Sequence, residues 1–337
     1  MKILSPESHQ RKIVRVLGLA QVLNGIGVAG TVAAGSLLVS SITKSDGLSG
    51  LAQTISVLGA AVMALPLARL TQSGGRRLAL TSGYSIGVVG AVLAIFGGAN
   101  QNLFFMLLGA FMVGAASASG YQARFAAIDL ATPEKRSKDL SFVVWGSTIG
   151  AVTGPNLMEP SGVFAAALGL PKLVGPYFIA AFTLALSVVV IQLFLKPDPF
   201  LTANKVAAGS SLQEQKSMRS ALKHIREYPL AIFAITSVAI GHLAMVSIMV
   251  MTPVHMAHSD ASLRIIGFVI SVHVLGMYAF SPIVGAMSDK FGRVKTIQVG
   301  ILILIASALI SALAPHHDSF TLGIGLFLLG LGWSFTL

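Results

Sequence analysis

Ten stretches of mostly apolar residues, each near or above the length of a membrane span, follow one another along this chain: 13–40, 48–70, 78–99, 103–128, 140–164, 173–195, 229–253, 263–285, 295–314 and 320–337. A helix needs about 20 such residues to cross the roughly 30 Å of hydrocarbon in a bilayer. Inside hydrocarbon every backbone N–H and C=O must be paired within the protein, which leaves helices or a closed barrel. A barrel would show short alternating segments, and none are present. The sequence therefore predicts an all-α membrane protein with ten spans. The first stretch is too long for a signal-peptide core and is followed by further spans, so it reads as a retained helix. Composition agrees where it matters. Charged residues make up 10% of the chain and apolar ones 54%. A soluble domain carries about 25% charge, so this chain has too little polar surface to be a water-soluble enzyme. It has no cysteine, which excludes disulfides, thiolate metal sites and cysteine nucleophiles.

The net charge of +11 would suggest nucleic acid in a soluble protein. Here it sorts by side of the membrane instead. With the N-terminus in the cytoplasm, 19 of the 23 Lys and Arg residues fall in cytoplasmic segments. Lys44, Lys172 and Arg264 fall on the opposite side, and Arg124 lies inside the fourth span. The positive-inside rule then predicts a cytoplasmic N-terminus in a plasma (inner) membrane. The bilayer accounts for the basic character, and no nucleic-acid partner is expected.

The longest polar stretch, 196–228, divides the chain into a six-helix part, 1–195, and a four-helix part, 229–337. Within it Leu212, Met218, Leu222 and Ile225 are spaced among Lys and Arg as in an amphipathic helix lying on the interface. An ordinary solvated linker is the alternative. The two parts share a weak repeat. The connection between spans 2 and 3 runs from Pro66 to Arg77, and that between spans 8 and 9 from Gly285 to Lys295. Both are short, basic and glycine-containing, and both join the second and third helices of their part.

These residues resemble a known family. Gly285-x-x-x-Asp289-Lys290-x-Gly292-Arg293-x-Lys295 is similar to the loop signature of the major facilitator superfamily, and Arg76-Arg77 ends a degenerate first copy with Gln72 in the Asp position. Span 5 carries Gly146, Gly150, Gly154 and Pro155, which resembles the family's antiporter-associated glycine pattern, although Met158-Glu159 stands where a glycine pair is usual. The end of span 4, from Asp129 to Arg136, is also similar. The resemblance covers essentially the whole chain and implies two bundles of six helices. The sequence stops at Leu337 within the tenth, so the second bundle is expected to hold only four helices, with the chain a fragment or a truncated product. The arginine that proton antiporters often carry four residues before Gly114 is Ala110 here.

The resemblance implies a gating role for the loop. Asp289 would hold the N-terminus of span 5, where unpaired N–H groups and the helix dipole favour a carboxylate. Lys290 and Arg293 would add ion pairs or lipid contacts. A surface turn obeying the charge asymmetry is the alternative. Asp129 is expected to pair with Arg76 or Arg77. The span 5 glycines recur every fourth residue and so share one face, which permits close approach of another helix.

Ionisable and polar groups inside a bilayer are functional candidates by default. Asn24, Gln122 and Arg124 are candidates for a substrate cavity, with snorkelling of Arg124 as the alternative. His242 and His273 are expected at similar depths on adjacent helices, where either can carry a coupling proton; satisfied core histidines are the alternative. His255, His258 and Asp260, with His316, His317 and Asp318, read as wet helix ends, and no metal site is expected. Trp333 reads as core or cavity lining. No phosphate-binding Gly-x-x-x-x-Gly-Lys-[Ser/Thr] motif occurs, so neither ATP-driven transport, a cofactor nor an enzyme is expected. The implied function is secondary transport of a small molecule by alternating access. Proton-coupled efflux is favoured over metabolite uptake on the span 5 resemblance alone. A transport-inactive membrane sensor on the same fold is the competing class.

Overall fold

A computed structural model describes residues 6–132, 135–207, 225–315 and 318–336. Among these the regular elements are helical, with no strand. The order is α1 (Pro6–Thr43), α2 (Leu51–Ala99), α3 (Leu103–Ala126), α4 (Arg136–Asn156), α5 (Met158–Ala167), α6 (Gly175–Phe194), α7 (Pro199–Ala207), α8 (Pro229–His258), α9 (Leu263–Tyr278), α10 (Ser281–Phe291), α11 (Arg293–Leu313) and α12 (Ser319–Thr336). Most of the expected amphipathic segment, including Leu212, Met218 and Leu222, lies outside the described residues.

Eight described segments are long and apolar enough to cross a membrane, where the sequence predicts ten. The difference lies in two places, at spans 2–3 and at span 5. The segment Asp46–Ala99 holds spans 2 and 3, because α2 reverses at Gly75 (φ 85°, ψ 173°). Both of its arms lie along α3: Gly59 meets Phe111 and Gly90 meets Met112, though 31 residues of straight helix would separate them by about 46 Å. Span 5 is divided into α4 and α5 around Leu157, and neither piece is both long and apolar enough. Pro155 lacks the N–H that would continue the helix ladder there. Span 8 counts once, as α9 followed by α10, whose first turn carries Pro282.

The described residues form two compact units that do not follow chain order. One contains the chain through Val206 together with Val250–Ser271. The other contains the described residues between Ala207 and Met249 and those from Val272 onward.

In the first unit α1 packs on α4, and α2 on α3. The seam of α1 and α4 is built from backbone. A Cβ at Gly146 would lie 2.6 Å from the Gly18 carbonyl oxygen, and one at Gly154 would lie 2.6 Å from that of Ile26. At Gly150 it would overlap the Val22 carbonyl. Only glycine on that face allows this spacing, which in a bilayer replaces the missing hydrophobic drive with van der Waals contact. Towards the loop at Gly75 the core is filled by Ile13, Leu17, Leu80, Tyr84, Leu184 and Ile191, all fully buried. In the second unit Met245, Met277, Leu304 and Leu329 form the core, with Tyr278 and Trp333 against it.

The two reversals repeat in backbone as well as in sequence. Gly292 (φ 91°, ψ 149°) separates α10 from α11 as Gly75 divides α2, and each is followed by an arginine. A residue with a side chain rarely adopts this conformation.

Candidate functional site

The Gly75 turn gathers charged and polar groups of the first unit into one cluster. Arg76 donates through Nε to Asp129 Oδ2 at 2.8 Å and through Nη2 to Oδ1 at 3.1 Å. Both side chains are 13% exposed, so the fork-to-carboxylate pair is shielded from most of the water that weakens surface pairs. The guanidinium also lies over the Phe200 ring, 5.6 Å from its centroid. Arg77 contributes its backbone instead: its N–H donates to Asp198 Oδ2 at 2.8 Å. The other Asp198 oxygen accepts from Phe200 N and Leu201 N and so caps α7. A Cβ at Gly75 would lie 2.5–2.8 Å from this carboxyl group. One carboxylate thus satisfies the starts of two helices, and only glycine leaves room for it.

A groove of about 760 Å³ opens beside this cluster, between the first arm of α2, α3 and α7. Its wall is mostly alanine and aromatic, with Thr71, Gln72, Arg76, Gln122 and Asp129 as polar members. Gln122 ties the helices there: its Oε1 accepts from Thr71 Oγ1 at 3.1 Å and its Nε2 donates to the Ala64 carbonyl at 3.4 Å. Gln122 and Arg124 are two residues apart, which is about 200° around a helix, and they do not share a face. Arg124 lies over the Tyr121 ring at 5.1 Å, with its Nε buried and unpartnered among the described residues.

Asn24 is 9% exposed and its Oδ1 has no partner among the described residues. It sits over Gly120, where a Cβ would lie 2.5 Å from Asn24 Nδ2 and 3.1 Å from the unpartnered Oε1 of Gln21. Gln21 Nε2 donates to Ser147 Oγ at 2.9 Å.

On the side opposite the Gly75 turn, the start of α9 is clamped to the end of α4 within the same unit. Asn156 Nδ2 donates to Ser271 Oγ at 2.6 Å, and Ser271 Oγ donates to the Val152 carbonyl at 2.8 Å. Gly267 lies so close to Pro155 that a Cβ would overlap its carbonyl oxygen. Arg264 Nε donates to Glu159 Oε2 at 2.8 Å, with the arginine 82% exposed. His258 Nε2 is 3.5 Å from Asp46 Oδ2. His316 and His317 lie outside the described residues. Asp318 caps α12, and its carboxyl is held below the usual range, first by the Thr321 hydroxyl and then by backbone N–H groups. Among the described residues no group of His, Cys, Asp and Glu is placed to hold a metal.

In the second unit the two histidines part company. His242 Nδ1 accepts from Trp333 Nε1 at 3.1 Å, and Trp333 packs edge-on to Tyr278 with centroids 5.9 Å apart. His273 is fully buried, with Nδ1 2.8 Å from the Leu326 carbonyl and Nε2 unpartnered among the described residues. Leu326 is seven residues from Trp333, about 10 Å along α12, so the similar depth expected from counting residues is not found. The count assumed equal, straight spans, whereas the breaks at Leu157 and at Ala279-Phe280 show that spans here are not straight. In the loop signature Asp289, Arg293 and Lys295 are exposed and make no hydrogen bond or ion pair among the described residues. Lys290 Nζ lies 5.3 Å from the Phe291 ring centroid, and a Cβ at Gly285 would meet nothing within 4 Å.

Asp198, Phe200, Asn156 and Ser271 were missed in the sequence. Asp198 had a signal, since an Asp followed by Pro199 is the pattern of an N-cap before a first helical turn. Asn156 and Ser271 are 115 residues apart, and nothing local marks them.

Membrane-spanning helices joined by basic glycine reversals, with polar side chains held between them, define an integral membrane protein of the carrier type. The chain belongs to the Major Facilitator Superfamily, whose sequence model matches residues 17–337. It is 35% identical over 339 residues to the uncharacterized MFS-type transporter YdeG of Bacillus subtilis, covering 99% of this chain and 79% of that protein. It is 27% identical to the riboflavin transporter RfnT of Brucella anthropi, covering 96% of this chain and 78% of that one. Among solved structures, the nucleoside transporter NupG superposes with a TM-score of 0.70 at 15% identity, over 97% of this chain and 80% of that one. A D-xylose-proton symporter superposes with a TM-score of 0.60 at 16% identity, over 96% and 80%.

Proposed function

We propose that this protein is a secondary transporter that moves a small organic molecule by alternating access, with protons as the coupling ion and export as the favoured direction. In this reading the N-terminus and the Gly75 and Gly292 turns face the cytoplasm. The observation that carries it is the clamp of Asn156 and Ser271 at one end of the helices. A carrier needs a closure that is tight by geometry yet small in energy, so that it opens on each cycle. Two hydrogen bonds and one exposed ion pair fit that requirement. The resemblance of span 5 to the antiporter pattern supports export. A second reading, a carrier of planar heteroaromatic metabolites, is favoured by the similarity to a riboflavin transporter.

The test is flux in proteoliposomes with riboflavin, nucleosides and cationic dyes, under an imposed pH gradient. Uphill movement that a protonophore abolishes is the expected result. Flux of every solute unchanged by the gradient would overturn the coupling. In intact cells a Cys replacing Gly47 should react with an impermeant thiol reagent and one replacing Ser73 should not; the reverse would invert the orientation.

A further inference from the structure

We propose that His242 is the proton-binding site of this transporter and that Trp333 is its sensor: a proton on Nδ1 breaks the Trp333–His242 hydrogen bond and frees α8 from α12. The proposal rests on the proton-coupled reading above.

The chemistry follows from which group can donate. An indole N–H is a donor only. Trp333 Nε1 at 3.1 Å therefore requires a bare lone pair on His242 Nδ1, with the ring neutral and its proton on Nε2. When a proton from water binds Nδ1, two N–H groups point at each other and the bond cannot persist. Nothing covalent breaks, and the imidazole changes from acceptor to donor at that atom.

Position separates His242 from the other intramembrane histidine. His242 lies on an exposed face of its unit, open to whatever fills the space beside it. His273 has 0% exposure and its free nitrogen is enclosed. A charge there would be buried without a partner. His273 is a packing residue that ties α9 to α12 through the Leu326 carbonyl.

The consequence of the switch follows from how α8 is held. Its most apolar 18-residue stretch is 11% buried, the lowest value of the eight membrane-capable segments. Beside the packing of Met245 in the core, Trp333 holds it by touching His242 of α8 and Tyr278 of α9. Beside it a Cβ at Gly241 would lie 2.7 Å from Thr336 Oγ1, so the bare backbone of α8 meets the Thr336 side chain of α12 next to the pair.

No carboxylate competes for the proton along these helices. From Pro229 to His258, and from Ser319 to Thr336, the sequence has no Asp, Glu, Lys or Arg. On α9 the charged residue is Arg264, about 21 Å along the helix from Tyr278. On α11, Arg293 and Lys295 lie at the start, about 13 Å or more from Leu304. Tyr278 is the titratable group that faces the pair. A charged His242 must therefore find water or an acceptor on the transported molecule, which links the proton to the cargo.

The chain has two tryptophans, so Trp145→Phe leaves Trp333 as the lone indole. Its emission is followed against pH in lipid nanodiscs, since an imidazolium beside an indole quenches it. The expected result is a one-proton transition in the histidine range that is lost in His242→Gln and kept in His273→Gln. Glutamine keeps an acceptor for the indole N–H, so the variant should hold the high-pH emission throughout. A transition that survives His242→Gln, or none in the parent, overturns the proposal. Flux is measured in parallel. A titrating His242 in a chain whose flux ignores the pH gradient refutes the coupled reading instead, and His242→Gln should retain exchange while losing the response to the gradient.

Discussion

At the scale of residues, Arg76 and Asp129 show what a sequence can and cannot select. An acid at the end of one span and a basic loop between two others made a pair readable. The choice between Arg76 and Arg77 was not, because neighbours on a helix point about 100° apart and the turn at Gly75 decides which one faces Asp129. The N-cap pattern at Asp198 was legible, but its reach to the Gly75 turn was not: that partner is the backbone N–H of Arg77, 121 residues away, and backbone groups leave no trace in composition. The pair should behave as a mostly dry ion pair. Removing one partner of a buried pair costs about 3–5 kcal/mol, because the other charge is left uncompensated. With both side chains 13% exposed, some water reaches the survivor, and about 1–3 kcal/mol is expected for Asp129→Asn. Arg76→Lys should also destabilise, since an ammonium cannot keep both the fork and the contact with Phe200. Thermal unfolding in detergent checks both. Midpoints equal to the parent for Asp129→Asn would show that the pair is a wet surface contact.

At the scale of elements, the apolar stretches were read well and their interiors poorly. Hydropathy sees a span as a length of apolar residues, so it cannot see Leu157, where α4 passes to α5, or Ala279-Phe280, where α9 passes to α10. Pro155 and Pro282 were the available signals, each lacking an N–H inside a helical pattern. The span 5 glycines form one close-packing face in the sequence, and the surface they meet is the backbone of α1. The same residue type does opposite things elsewhere. Gly150→Ala would push a methyl group into the Val22 carbonyl and to 2.8 Å from Gly25 Cα. Backbone cannot rotate away as a side chain can, so a loss of about 1–3 kcal/mol is expected. Gly285→Ala meets nothing within 4 Å and lies within α10, so a gain of about 0.5–1 kcal/mol is expected from the lower entropy of the unfolded chain. Opposite shifts in the two unfolding midpoints are the predicted result, and equal shifts would count against this packing of α1 on α4.

At the scale of the whole molecule, the compact units do not follow the order of the chain. Val250–Ser271, the end of α8 and the start of α9, packs with the first unit. Hydropathy could not reveal this, because the contacts are two uncharged hydrogen bonds, a glycine against a carbonyl and ion pairs such as Arg264–Glu159 between residues far apart in the chain. If the protein works by alternating access, this clamp must open and close on each cycle, and holding it shut should stop transport without unfolding anything. The absence of cysteine in the chain makes the test clean. Asn156 Nδ2 and Ser271 Oγ are 2.6 Å apart, so Asn156→Cys with Ser271→Cys places two thiols within reach of a short thiol-reactive cross-linker. Asn156→Cys loses the hydrogen bond between the two side chains, worth about 0.5–1.5 kcal/mol, and Ser271→Cys loses it together with the bond to the Val152 carbonyl. Because that bond exists only in the clamped state, each single should favour opening slightly and still transport. The cross-linked double variant should lose flux entirely, and a cleavable linker should restore it on reduction. Flux that continues through the cross-linked protein would show that this end does not open, and alternating access through it would have to be abandoned.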